Sequence, residues 1–514
     1  MPDRHARCPH AALPVLTPRS AAADQAAPTQ RLAADAVSVD MPVWIEVALG
    51  FLPFAAWFVA GVIHMPRLAI AAYLAIGLML IVRPRIGYLA LLPMLPFFHP
   101  QGFPPHGPIF LLAGIGLASV LVRLSIGRVR VPLSARPALW CAVAFLALTA
   151  FQLVLGVRRL GGAIPLSSLS QYDQVFIILA VFAVGLVVLP GRALAPYHAA
   201  FLVSFALVVG VGLVNFLQPG LLEVFRLDWL VHPNAFADRA SGVIANPNFL
   251  GLALACGLSW ILVTALWHFA HGRIGRVMLL LPIVPPAGLT MILTFSRTAL
   301  LALGIGLIAA LARRSWLAAG VLAAAAAIAA TLIYPVFIQV RLGQTFGEAS
   351  PAAQAAIAES DRLRSLMAES AVRAFLDAPL AGHGFSTFSE ISPKYSGQSA
   401  LTSAHDLYLK MAAEQGLIGL SVLGALFISI VVPMWRAGVG PWIASMAVAF
   451  AFMVFSITAD TLGSAQSVAS AFFLMAAGVA HASFTRERVL ASQRLVRAAH
   501  WPADAQPSGD RAIG

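Results

Sequence analysis

SAHDLYLKMAAEQGLIGLSVLGALFISIVVPM, residues 403–434, opens on a histidine and an aspartate and continues as a nearly continuous apolar run. A helix that crosses a membrane needs about 20 apolar residues to match a hydrocarbon core of about 30 Å. The segment 405–434 therefore reads as a span with a polar end, and that end follows a long polar loop, 336–403. The remainder of the chain has the same apolar character. Of 514 residues, 60% are hydrophobic and only 11% are charged, against about 25% in a soluble protein. Mean hydropathy is +0.86. Lipid cannot satisfy exposed backbone groups, so continuous apolar runs of this length cross it as helices. The expected fold is all-α: a polytopic helical bundle in the membrane with one large extramembrane loop.

Apolar runs fall at 44–63, 68–82, 86–98, 109–124, 137–155, 174–189, 199–217, 247–268, 277–293, 298–312, 317–335, 405–434, 441–459 and 467–484. Several are short, so the expectation is roughly 12–14 spans, with 14 the best count. The net charge of +12 does not point to nucleic acid. Its arginines sit in short turns between runs, as the positive-inside rule places them. With the N-terminus inside and 14 spans alternating, most arginines fall inside. The outer turns 99–108 and 461–466 have no Lys or Arg. This alternation sets the loop 218–246, the turn Thr294-Phe295-Ser296-Arg297, the loop 336–403 and Asp460 on one outer face.

Cys8, Cys141 and Cys256 are far apart and form no ligand or disulfide pattern. Residues 1–43 carry no apolar core and read as a disordered cytoplasmic tail, or as an over-extended start, since Met41 directly precedes the first span. The bundle then occupies 44–335, the final spans 404–484 and a second cytoplasmic tail 485–514. Within the long loop, 353–377 lacks Gly and Pro. Its apolar residues recur at helical spacing with Arg and Glu between them, which predicts an amphipathic helix.

Arg297 stands between two apolar runs with only Thr294 and Ser296 as polar company. Charge there is expensive and marks function or a partner, and a guanidinium can clamp a phosphate with paired N–H groups. The bland alternative is an arginine reaching the outer headgroups. His405 could take a proton from an attacking hydroxyl near neutral pH; a lone interfacial histidine more often has no such role. Asp406 could orient it or serve as a plain interfacial acid. Asn246-Pro247-Asn248 reads first as a helix start, with Asn as cap and Pro in the first turn. Asp238-Arg239 upstream could bring a second cation near Arg297. Arg364 on the amphipathic helix could touch an anionic ligand or lipid headgroups. Glu414 reads as a polar contact within the bundle. No metal-ligand spacing, P-loop or dinucleotide fingerprint is present. An outer-face enzyme has no nucleotide supply, so bond-forming chemistry there requires a pre-activated substrate.

Four ordered motifs resemble the O-antigen ligase and O-antigen polymerase family of bacterial envelope glycosyltransferases. They are Arg239-Ala240-Ser241-Gly242 with Asn246-Pro247-Asn248-Phe249-Leu250-Gly251; Leu293 to Ala299 around Ser296-Arg297; Ala378 to Phe385 with Phe388; and Ala404 to Leu409 with Glu414 to Gly419. They cover about 239–420. The resemblance implies an inner-membrane protein whose loop 336–403 and working face are periplasmic. It implies metal- and cofactor-independent, inverting transfer of a glycan from undecaprenyl diphosphate to an acceptor hydroxyl. The acceptor would be a lipid A core for a ligase, or a growing saccharide for a polymerase. Arg297 and Arg239 would hold the diphosphate, with Asn246, Asn248, Ser296, Asp406 and Arg364 as further binding residues, and His405 would serve the acceptor. Where the family commonly has Asn after that histidine, this chain has Asp406. Its charge would repel a diphosphate unless paired, and would raise the histidine's pKa. The alternative of another class is a transporter or flippase, which predicts internal repeats and charges near mid-span; neither is evident in the sequence.

Overall fold

The computed structural model describes residues 42–97, 107–159, 161–162, 166–191, 193–232, 239–325, 327–328, 331, 351–397 and 403–499. Asp238, most of the expected N-terminal tail, segments 336–350 and 398–402 of the long loop, and residues beyond 499 lie outside the described residues. The chain divides into two units, Met1–Glu46 and Val47–Gly514. Of the first unit only 42–46 are described, and they open the first helix. The second unit holds the bundle and the cavities described below.

All regular structure among the described residues is helical. In chain order the helices are α1 (Val43–Val62), α2 (Pro66–Val82), α3 (Pro84–Leu91), α4 (Gly107–Ser125), α5 (Arg136–Arg159), α6 (Leu166–Val188), α7 (Ala195–Leu217) and α8 (Pro219–Val224). There follow α9 (Pro247–Ala270), α10 (Ile274–Leu280), α11 (Val284–Leu293), α12 (Arg297–Ala312) and α13 (Trp316–Ala325). The last five are α14 (Pro351–Asp377), α15 (Phe388–Ser396), α16 (Leu407–Arg436), α17 (Ile443–Phe455) and α18 (Ala465–Ala499). Among the described residues, nine helical segments are long and apolar enough to cross a membrane, and four shorter apolar helices accompany them. The molecule is a polytopic helical membrane protein.

The expected run 86–98 folds differently from the others. It is the eight-residue α3 followed by a one-turn 3-10 helix, Leu92–Met94, about 18 Å of axis in all. That is too short to cross by itself, and Pro93 lies in the tight turn that ends it. Its residues are nonetheless buried, so it fills the core as a half-length element. The last run also differs. α18 continues past 484 because no Gly or Pro interrupts it before Pro502, and its charged extension is exposed.

The most buried spans, α6 and α18, form the centre and pack against each other. Large rings fill the space between them and α17: Phe182 meets Phe472 edge-on at 5.8 Å, and Phe472 meets Phe452 at 5.3 Å. The outward faces of other helices stay apolar, with Leu74 at 70% and Leu279 at 75% exposure, as expected where lipid is the solvent.

Arginines at one end of the bundle hold helix termini, although Arg158 and Arg159 close α5 at the other. Arg123 donates to the Ile81 carbonyl at 2.8 Å, and Arg313 donates to the Trp435 carbonyl at 3.0 Å. Arg313 also lies over the Trp435 ring at 4.1 Å. Arg136 at the start of α5, Arg273 and Arg276 at the start of α10, Arg314 just past the end of α12 and Arg436 at the end of α16 lie at this same end of the bundle. The starts of α6, α9, α12 and α16 meet at the opposite end.

Candidate functional site

The site begins where α16 begins. Asp406 is extended and its carboxylate accepts from the Leu409 N–H at 2.9 Å, which is the N-cap arrangement. Just before it, His405 is left-handed, with φ +52°. A non-glycine residue pays for that backbone region, and such strain gathers at functional positions. The surroundings hold it there. The His405 N–H donates to Ser403 Oγ at 3.2 Å, the Leu407 N–H donates to the Ser456 carbonyl at 2.9 Å, and the Tyr408 hydroxyl donates to the Met453 carbonyl at 3.0 Å. The start of the helix is thus fastened to the end of α17.

The His405 side chain is exposed and lines a cavity of about 620 Å³. Arg239, Asn246, Asn248, Ser296, Arg297 and Arg364 line the same cavity. Residues from distant parts of the chain therefore meet in one chamber. Arg297 is the first residue of α12, directly after the buried Ser296 and the left-handed Phe295 (φ +50°). Arg239 is set by its neighbours. Its Nε donates to the Thr294 carbonyl at 2.8 Å, its Nη2 donates to Asn248 Oδ1 at 2.9 Å, and the next N–H, of Ala240, donates to the Leu293 carbonyl at 2.9 Å. Asn246 caps α9 by accepting from the Asn248 N–H at 2.9 Å, as its Asn-Pro sequence suggests. Asn246 and Asn248 therefore shape the loop that carries Arg239. Arg364, on α14, pairs with Asp361 at 3.0 Å and is exposed.

Asp406 is the exception: it is not among the residues lining the cavity. Burial pushes its carboxyl up, while the N–H groups of Leu409 and Tyr408 pull it back down. The sequence expectation that it raises the histidine's pKa is corrected. Burial lowers His405 below the ordinary 6.5, the nearby Arg364 charge lowers it further, and Asp460 alone opposes them. Although the ring opens onto the cavity, protein replaces enough of its water for desolvation to dominate.

Sequence reasoning missed much of what supports this chamber. Ser167, Ser170, Gln171 and Gln174 on α6 line it; their 3- and 4-residue spacing at the start of an apolar run was the available signal. Below the cavity floor, the buried Lys410 donates to Gln171 at 2.7 Å and pairs with Asp460 at 2.5 Å. One turn further, the fully buried Glu414 accepts from the N–H groups of Ser386 at 2.8 Å and Phe388 at 3.2 Å. That turn returns from α14 and enters a break in α16 at Gly416, whose φ is +64° and ψ −160°. The break releases carbonyls that the turn's backbone takes up: His383 N–H donates to Ala413 at 3.1 Å, and Gly384 N–H to Glu414 at 2.7 Å. A Cβ at Gly382 would lie 2.3 Å from the Glu414 carbonyl carbon, so only glycine fits. The motifs around 378–388 and 414–419 are thus two halves of one fastening, and they hold α16 rather than line the cavity.

The arrangement can do two things. Three guanidinium groups against one carboxylate, that of Asp460, which is paired with Lys410, leave the chamber cationic and suited to phosphate oxygens, and a neutral imidazole with a lowered pKa can accept a proton at pH 7. No three His, Cys, Asp or Glu side chains among the described residues are arranged to hold a metal ion.

Among known families, a model described as O-Antigen ligase matches residues 277–424. The matched stretch includes Ser296, Arg297, Arg364, His405 and Glu414, and ends before Asp460. No curated protein matches the chain.

Proposed function

We propose, from the O-antigen ligase family domain that residues 277–424 make up, that this protein is an inverting glycosyltransferase at the periplasmic face of the bacterial inner membrane. The donor is a glycan on undecaprenyl diphosphate, and the acceptor is a hydroxyl of a lipid A core. The observation that carries the reading is the meeting of Arg239, Arg297, Arg364 and His405 in one cavity. Arg297 and Arg239 hold the diphosphate and stabilise the charge that grows on it as it leaves. The acceptor oxygen attacks the anomeric carbon from the opposite side, and the bond from that carbon to the diphosphate oxygen breaks. His405 takes the hydroxyl proton, and undecaprenyl diphosphate departs. The lipid diphosphate supplies the leaving group that a face without nucleotides needs.

The orientation draws its support from charge. The end opposite the cavity carries Arg123, Arg136, Arg273, Arg276, Arg313, Arg314 and Arg436, as a cytoplasmic end does. A polymerase that joins one lipid-linked saccharide to another uses the same geometry with a different acceptor. A transporter is disfavoured because the buried Lys410 pairs with Asp460 of the cavity wall, so the two charges close onto each other rather than marking a path through the bundle.

The test is complementation of a deletion strain with wild type, His405→Ala or Arg297→Ala at matched protein levels, with lipopolysaccharide and exopolysaccharide resolved on gels. Loss of the lipid A-attached ladder is the expected result. A phenotype limited to single repeat units identifies a polymerase. Normal glycan from both variants removes the catalytic assignment.

A further inference from the structure

A second cavity, of about 310 Å³, lies at the other end of the bundle. Helix α9 separates the two: its start lines the first, and His268, near the end of its 24 residues, lines the second. At 1.5 Å per residue His268 lies roughly 30 Å along the helix from Asn248, about a membrane's hydrocarbon thickness, while Trp260, about 17 Å from Phe249, carries the second cavity's lining toward the middle of the bundle. The second cavity lies at the arginine-rich end.

Its lining is cationic and aromatic. Arg273 and Arg276 stand at its mouth, His198, His268 and His481 come from three different helices, and no Asp or Glu is among the described lining residues. Two polar atoms in its wall, Thr264 Oγ1 and His268 Nδ1, are buried without a hydrogen-bond partner. Unpaired buried polar atoms are costly unless something bonds to them. The three histidines do not form a metal-holding group, so the chemistry on offer is anion recognition. Trp267 and Trp442 also line it, and tryptophan favours the headgroup level of a bilayer. Phe269 and Met278, one and two positions beyond the lining residues His268 and Arg276, are exposed at 64% and 59%, where acyl chains would lie.

We infer that this cavity binds the phosphate-bearing headgroup of an anionic phospholipid, in the leaflet opposite the glycan-transfer cavity. Basic pockets between membrane helices on the cytoplasmic side are the usual form of such sites. The inference does not depend on the proposed glycosyl transfer.

The test uses the full-length chain, delipidated in detergent and supplied with phosphatidylglycerol, phosphatidylethanolamine or inorganic phosphate. Retained lipid is read by native mass spectrometry and stabilisation by melting temperature. Wild type should retain phosphatidylglycerol over phosphatidylethanolamine. The Arg273→Gln/Arg276→Gln double variant, altered only at exposed positions, should lose phosphatidylglycerol affinity by about thirtyfold. Thr264→Val should weaken retention, and the Arg314→Gln/Arg436→Gln pair, which lies outside the cavity lining, should not. Unchanged retention in the first pair, or equal loss in the second, overturns the site. Stabilisation by inorganic phosphate alone, lost in the same double variant, keeps the phosphate site but overturns its lipid source.

Discussion

His405 illustrates how one residue's behaviour depends on groups distant in sequence. Burial and the Arg364 charge both disfavour its protonated form. Its neutral form therefore persists below the ordinary pKa of 6.5, and with His405 as the base proposed above, the proposed transfer should slow only as pH drops through that lowered value. Removing the Arg364 charge raises the pKa, so Arg364→Gln should move the acid limb of the pH–rate profile toward neutrality. The effect should shrink as salt is added, because Arg364 is exposed. A limb that stays in place in Arg364→Gln would show that another group controls it. At Asp406 the relevant property is capping. Asn caps as well as Asp, whereas loss of the cap costs about 1 kcal/mol. Asp406→Asn should leave the melting temperature nearly unchanged and Asp406→Ala should lower it.

At the scale of elements, α16 works as a bracket. Its first turns carry Lys410 and Glu414, which are charges in a segment that otherwise reads as a plain span, and each is neutralised or bonded by a distant segment. Removing one partner of a buried pair leaves the other uncompensated. Lys410→Met alone should destabilise by about 3–5 kcal/mol, while Lys410→Met/Asp460→Asn should recover much of that loss. Chemical-denaturation midpoints in detergent give the comparison, and equal loss in single and double variants would show that the pair is not coupled. Glu414→Ala strands two buried N–H groups at a cost of about 2–4 kcal/mol. It should also loosen the turn at Ser386 and Phe388, so that protease cuts appear near 384–388 that wild type resists. Above α16, α14 lies with Ala371 and Ala374 fully buried against it. The ion pairs on its outer face, Arg362–Glu359 and Arg373–Glu369, are exposed and should be replaceable without measurable loss.

At the scale of the whole molecule, the arginine-rich end and the cavity end must lie on opposite sides of the membrane. In a chain with Cys8, Cys141 and Cys256 replaced by Ala, a cysteine at Ser399 should react with an impermeant thiol reagent once the outer membrane is permeabilised. One at Arg314 should react only after the inner membrane is opened. The reverse pattern would place the cavity in the cytoplasm, away from any periplasmic acceptor.

What the sequence determined by itself was the solvent of the fold. Apolar runs of membrane length force helices, because lipid leaves backbone groups no other partner. The arginine distribution then sorted the turns into two ends. Arg297 also stood out alone, as a charge against apolar neighbours, whereas the expected role of His405 came from the resemblance of the motif around it. Only the tertiary structure decided which polar residues belong together. Lys410 and Asp460 are 50 positions apart, and Gln171 is 239 positions from Lys410; no local pattern encodes such a pairing. The same holds for Glu414, whose partners at Ser386 and Phe388 become visible only once α16 breaks at Gly416. The span-like run 86–98 was misleading for a related reason: composition records that a segment is buried, but whether lipid or protein buries it depends on its neighbours.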